Sequence, residues 1–212
     1  ERSGTPDPRR EGLLWIQGRL LADGLSARPV ELSAFGVTRG GLCFASQGAS
    51  ELRGVRLRNL YVVQKAGAVQ WLGCEFSDAP HYAITAGQAI LIHCTLRRCG
   101  GLFAAYDGGP WAMLASRCLF ENCREGFVFR SNPGPGCLWI ERNNFVGTRG
   151  ANFRALPGGE AVSRGARSEL LIGENWYGTA VPDQIDARIV DRRDDPRIRL
   201  WLNIRPPAER AY

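Results

Sequence analysis

The feature that most constrains this chain is an imperfect internal repeat. The segment Cys74-Glu75-Phe76-Ser77 recurs as Cys94-Thr95-Leu96-Arg97, as Cys118-Leu119-Phe120-Glu121 and as Asn143-Asn144-Phe145-Val146. Its first half returns at Glu174-Asn175-Trp176. Successive starts lie 20, 24, 25 and 31 residues apart. A constant core with variable spacing suits a solenoid, where each coil packs only on its neighbours and insertions are absorbed in loops. Phe76, Leu96, Phe120, Phe145 and Trp176 read as one apolar column, and Ile84, Phe103, Val128 and Phe153 as a second. Ahead of each unit lies another short apolar stretch, such as Ala89-Ile90-Leu91-Ile92 or Leu138-Trp139-Ile140. Three short strands per turn predict an all-β fold, a single-stranded parallel β-helix of triangular section.

The cysteines follow the same period. Cys74, Cys94 and Cys118 share one position of the repeat, with Asn143 next, and Cys99 and Cys123 share another; Cys43 and Cys137 complete the seven. Equivalent side chains in parallel coils stack about 4.8 Å apart, so small, easily buried thiols form interior ladders. An odd number leaves at least one unpaired in a monomer. Ladder neighbours are close enough for a disulfide if their Cβ geometry allows it, and a soft-metal thiolate site is the sharper alternative. No CxxC is present, the two Cys-x4-Cys pairs do not match common zinc spacing, and there are only two histidines. No metal site and no cofactor are therefore expected.

Competing architectures need features that are missing. A doubly wound fold requires helices of ten or more residues between strands, whereas these stretches are short and rich in the 26 glycines and 12 prolines. The net charge of +6 rests almost wholly on arginine, Lys65 being the single lysine. Such a balance favours anionic partners such as acidic polysaccharide, nucleic acid or phospholipid. The arginines are dispersed with no nucleic-acid-binding motif around them, so nucleic acid is not expected as a partner. No apolar run approaches the roughly 20 residues of a membrane span.

Three regions follow from the pattern. Residues 1–11 are a polar lead-in, residues 12–180 the β-helix, and residues 181–212 a C-terminal capping segment. In the last, Ile185, Ile189 and Val190 have helical spacing and Asp183 can cap, predicting a short helix near 183–191 that covers the open apolar end. Ile198 to Leu202 reads as a final strand.

The opening Leu14-Trp15-Ile16-Gln17-Gly18-Arg19-Leu20-Leu21-Ala22-Asp23-Gly24, with Arg28-Pro29-Val30-Glu31-Leu32, resembles the first rungs of exported bacterial right-handed parallel β-helix repeat proteins of the pectin-lyase-like superfamily. Glu174-Asn175-Trp176-Tyr177-Gly178-Thr179, followed by Ile185, Ile189, Asp191 and Asp194-Asp195-Pro196, is similar to the closing segment of the same group. The resemblance implies a right-handed helix and an exported protein, periplasmic or extracellular; the chain starts Glu1-Arg2-Ser3-Gly4, as a mature or trimmed terminus would. It implies little about activity, since lyases, hydrolases, epimerases, adhesins and proteins of unknown role share the fold.

The sequence holds no phosphate loop, no nucleophile elbow and no HExxH. It shows no DxD run on a repeat strand that would suggest the paired carboxylates of a glycosidase. The remaining candidates flank the second column: His81, Tyr106, Asp107, Arg130 and Arg154, with Trp111 in the same loop as Tyr106. Arg130 and Arg154 sit at similar offsets and predict an arginine ladder that reads carboxylates or sulfates. Trp111 either stacks on a sugar ring or covers the core. The leading expectation is a non-catalytic exported module that binds carbohydrate or serves a structural or interaction role in the cell envelope. The alternatives are a polysaccharide lyase or glycoside hydrolase acting on an acidic polysaccharide, with His81 as a candidate base, and a periplasmic copper-handling protein.

Overall fold

A computed structural model of the chain describes residues 12–25, 27–34, 40–104, 111–130, 138–157, 168–198 and 200–212. Through them the backbone winds as a right-handed parallel β-helix with three strands per coil. Sheet I stacks Gly12–Ile16, Gly40–Phe44, Leu60–Gln64, Tyr82–Ile84, Leu102–Ala104, Phe127–Phe129, Phe153–Ala155 and Ile189–Val190. Sheet II stacks Leu21–Asp23, Ala49–Arg53, Ala68–Leu72, Gly87–Ile92, Trp111–Ser116 and Leu138–Glu141. Sheet III stacks Val30–Ser33, Val55–Arg58, Glu75–Ser77, Thr95–Arg97, Leu119–Glu121 and Asn144–Val146. Ser168–Ile172 pairs in parallel with Leu200–Ile204 and extends the surface of sheet II beyond Ile140.

Pairing fixes which residues share a column. Phe76, Leu96, Phe120 and Phe145 are in register and buried, as the repeat predicts. The fifth member is Tyr177 rather than Trp176. Asn144 bridges to Trp176, and the Tyr177 ring stacks on Phe145 with centroids 5.8 Å apart. The shift follows from Asn175, whose amide must lie over Asn143; the alternative would bury the charge of Glu174. The second column also changes. Ala83, Phe103, Val128 and Arg154 are in register, whereas Phe153 pairs with Phe127 and faces the core, and Ile84 sits in the Phe129 and Ala155 column. Since side chains alternate sides along a strand, a one-residue slip exchanges inside for outside.

The predicted thiol ladders are present. The six described cysteines are all buried free thiols, and Cys137 lies outside the described residues. Their hydrogen bonds give them a shared role. Each interior thiol donates to a carbonyl of the preceding coil: Cys74 to Leu52 at 3.2 Å, Cys94 to Trp71 at 3.3 Å and Cys118 to Leu91 at 3.6 Å. Asn143 and Asn175 take over the task, their Nδ2 groups donating to Ala115 at 3.0 Å and Ile140 at 3.3 Å. The acceptors Leu52, Trp71, Leu91, Ala115 and Ile140 are one column of sheet II. The asparagines do more, because Oδ1 of Asn143 accepts the Cys118 N–H and Oδ1 of Asn175 accepts the Asn143 N–H, both at 2.9 Å. Cys99 and Cys123 repeat the thiol pattern at the next corner, donating to Phe76 and Leu96. Burial pushes the Cys94 thiol well above its ordinary pKa, which keeps it protonated and a donor.

Ten of the corners that flank sheet III turn through a left-handed residue. From sheet II to sheet III these are Gly54, Gly73, His93, Arg117 and Arg142; from sheet III to sheet I they are Asn59, Asp78, Arg98, Asn122 and Gly147, all with φ between 52° and 65°. A side chain at such a φ costs roughly 1–2 kcal/mol, so this strain is set against coil stacking at every non-glycine corner.

The C-terminal helix is shorter than the spacing predicts. It spans Pro182–Asp186 with Ile185 buried, and Val181 rather than Asp183 is its N-cap. Ile189–Val190 returns to strand and pairs with Phe153–Arg154. The apolar spacing there is satisfied by one last rung of sheet I, which pairs with strand groups of Phe153–Arg154 that a longer helix would leave open. The final strand is Leu200–Ile204.

Two outcomes test this account. Asn143→Ala, which orphans the Cys118 N–H and takes a side-chain donor from the Ala115 carbonyl, should cost about 2–3 kcal/mol in urea unfolding. Cys94→Ala should cost under about 1.5 kcal/mol, because a thiol is a weak donor; equal losses would contradict the division of roles. Arg117→Gly should raise stability by about 1 kcal/mol by relieving its left-handed backbone, and a lowered melting midpoint would count against that strain.

Candidate ligand-binding surfaces

The three outer faces differ in chemistry. On sheet III, charged residues of successive coils alternate in sign. Arg56 lies between Glu31 at 3.7 Å and Glu75 at 3.4 Å, and Arg97 between Glu75 at 3.8 Å and Glu121 at 2.7 Å. These carboxylates are bridged by guanidinium groups, and each exposed pair contributes under about 1 kcal/mol. The face is a salt-bridge zipper that uses up part of the arginine surplus.

The early rungs of sheet I are apolar outside as well as inside. Cys43, Tyr61 and Val63 form a second buried cluster with Leu13 and Ala45 packed against it. Lys65 lies 5.1 Å from the Trp15 ring centroid. His81 is half-buried here, its ring stacked on Tyr61 with centroids 5.7 Å apart. Inside the same coils a buried polar chain crosses the core. Trp71 Nε1 donates to the Tyr82 hydroxyl, which donates to Gln64 Oε1, each at 2.9 Å, and Gln64 Nε2 donates to the Gln88 carbonyl at 2.8 Å. Burial raises the Tyr82 hydroxyl above its ordinary pKa, so it remains a donor throughout the working range.

Sheet II is where large apolar side chains meet solvent. Ile90, Leu114 and Trp139 share an outward column. Leu171 continues it in the next coil and Asn203 in the one after. Trp139 is 58% exposed, Leu171 50% and Trp201 44%. Trp201 stands two coils beyond Trp139 and two residues along the strand, about 12 Å away by strand geometry. The Arg193 guanidinium lies 5.8 Å from the centre of its ring. Polar groups flank the aromatics: Asn203 donates to Glu169 at 2.6 Å, and Glu169 pairs with Trp201 across the strands. Two rigid indoles on a flat sheet, with hydrogen-bonding groups between them, suit a ligand with both an apolar face and hydroxyls.

Among the described residues, those singled out from the sequence are spread over several coils. Tyr106 and Asp107 lie outside the described residues. Trp111 is 3% exposed and stacks on Phe129, so it covers the core. Arg130 and Arg154 are not equivalent: Arg154 is in register with Val128, while Arg130 follows Phe129, the partner of Ala155. The expected ladder between them is therefore absent, because the column read from the sequence mixes the two sides of the strand. Arg154 donates to Glu125 at 3.1 Å. His81 stands apart on the Tyr61 cluster. Trp139 and Trp201 were in apolar runs and carried no functional signal; strand alternation around Leu138-Trp139-Ile140, with Ile140 buried, is what turns Trp139 outward.

Among the described residues, no group of three or more His, Cys, Asp or Glu side chains is placed to hold a metal ion. No helix among them is long and apolar enough to cross a membrane. No protein-family model matches the chain, and neither a curated protein nor a solved structure matches it.

The buried polar chain gives a direct test. Tyr82→Phe orphans Trp71 Nε1 and Gln64 Oε1 and should cost about 2–3 kcal/mol in denaturant unfolding; a neutral result would show that the hydroxyl does not link them.

Proposed function

We propose that this chain is an exported, non-catalytic β-helix module, periplasmic or extracellular, that binds carbohydrate of the cell envelope or its surroundings. The observation that carries the reading is the pair of exposed indoles, Trp139 and Trp201, set with Leu171 on the rigid outer face of sheet II and its extension. Sugar rings present C–H faces to indoles and hydroxyls to flanking polar groups, and a scaffold that holds both in register loses little conformational entropy on binding. Further support comes from the carboxylates of sheet III, which are engaged with arginines, and from the resemblance of both ends of the chain to exported β-helix proteins.

Binding to a panel of neutral and acidic polysaccharides tests this. Trp139→Ala combined with Trp201→Ala should weaken binding by about tenfold or more, the loss of two aromatic contacts of order 1 kcal/mol each, with the melting midpoint nearly unchanged. Unaltered binding in the double variant would refute the platform. Polysaccharide turnover that disappears in His81→Ala would refute the non-catalytic reading.

A further inference from the structure

A groove of about 490 Å3 opens where the last corner of sheet III meets the short C-terminal helix. Its walls include Arg149, Arg154 and Arg188, with Thr148 and Gln184, and among the described residues no acidic side chain lines it. The three arginines come from separate stretches of the winding. Arg149 is exposed at the corner after Gly147, Arg154 projects outward from sheet I, and Arg188 precedes the last rung, its carbonyl accepting the Asn152 N–H.

Two of the guanidinium groups are already held. Arg188 donates through Nη1 to the Thr148 carbonyl at 3.0 Å. Arg154 donates through Nη2 to Glu125, whose other oxygen accepts the Ala151 N–H at 2.8 Å. Glu125 offsets one positive charge, leaving an excess of two among the described residues of the site. Arg124 occupies the position equivalent to Arg149 one coil earlier and adds to the local potential. Concave walls focus such a field, and pre-positioned guanidinium forks match paired oxygens with little ordering cost.

We propose that this groove is an oxyanion-binding site for the carboxylate or sulfate groups of an acidic saccharide. The inference rests on the carbohydrate reading above and extends it to a second site with its own chemistry. A saccharide fits better than a membrane or a nucleic-acid duplex, because the uncompensated arginines gather around one small, open groove, whereas the broad arginine-bearing face of sheet III is neutralised by Glu31, Glu75 and Glu121. Arginine stays charged at any working pH, so binding should weaken with added salt rather than with mild changes of pH.

Calorimetric titration of the whole chain with an oligogalacturonide, a sulfated oligosaccharide and an uncharged cello-oligosaccharide tests this, alongside vesicles containing anionic phospholipid. At least one anionic chain should bind about tenfold tighter than the neutral one. That advantage should vanish in Arg149→Gln/Arg188→Gln. It should fall partially in Arg149→Gln alone, which leaves the Arg188 bond to Thr148 intact. Equal affinity for charged and neutral chains, or full retention of the advantage in the double variant, would overturn the proposal, as would arginine-dependent binding to vesicles with no saccharide binding. If the anionic chains bind through the arginines but the tryptophan variants bind normally, the groove stands and the sheet II platform fails.

Discussion

The structure depends on one recurring contact, in which a small interior side chain at a corner donates a hydrogen bond to a carbonyl of the coil before it. Parallel coils pair their backbones along the strands, and the pairing continues through the corners, where Gly54, Gly73 and His93 donate to the next coil. The second lone pair of the corner carbonyl still calls for a donor, as at Ile140, which accepts the Gly173 N–H as well as the Asn175 amide, and such a hydrogen bond contributes about 0.5–1.5 kcal/mol. Thiols meet the need at Cys74, Cys94 and Cys118, and amides at Asn143 and Asn175. The same contact sets the register, because only one alignment of successive coils brings each donor under its carbonyl. The left-handed corners, the aromatic stacks of the core and the zipper on sheet III all inherit that alignment.

The change from cysteine to asparagine along the column has a physical sense. A thiol is compact and weakly polar, so it fits where Trp71 and the Tyr82 chain crowd the interior. An asparagine is larger and has two donors and an acceptor, so it also satisfies the corner N–H groups and links Asn143 directly to Asn175 at 3.0 Å. The last coils thus carry a stronger internal bond network where fewer neighbours remain to stack upon them. The groove of Arg149, Arg154 and Arg188 and the exposed face of Trp139 and Trp201 both lie towards this end.

The fold was legible in the sequence because its signal is periodic. Cysteine and phenylalanine recurring two residues apart announced the corner column and the core column together, and three short apolar runs per unit announced the triangular section. Register was less legible where the period is weak. Glu174-Asn175-Trp176-Tyr177 can be laid over Asn143-Asn144-Phe145 in two ways, and only the interior amide bond chooses between them. The surfaces were least legible. Trp111 and Trp139 both sit in apolar strands, yet one is inside and the other outside, a difference of phase rather than of composition. Arg154, Arg149 and Arg188 are far apart in sequence and meet only because a short helix and a last rung fold back on the sixth coil.

Residue-resolved amide hydrogen exchange tests the central contact most directly. If the corner donors hold the coils in register, the N–H groups of Cys118 and Asn143, which donate to the Asn143 and Asn175 side chains, should be protected to the same degree as the strand amides on either side, and Cys118 should lose that protection in Asn143→Ala while the N–H of residue 143 keeps Asn175 as its acceptor. Rapid exchange at Cys118 and Asn143 in the native protein, beside slowly exchanging strands, would show that the corners are open and that the register is held by something else.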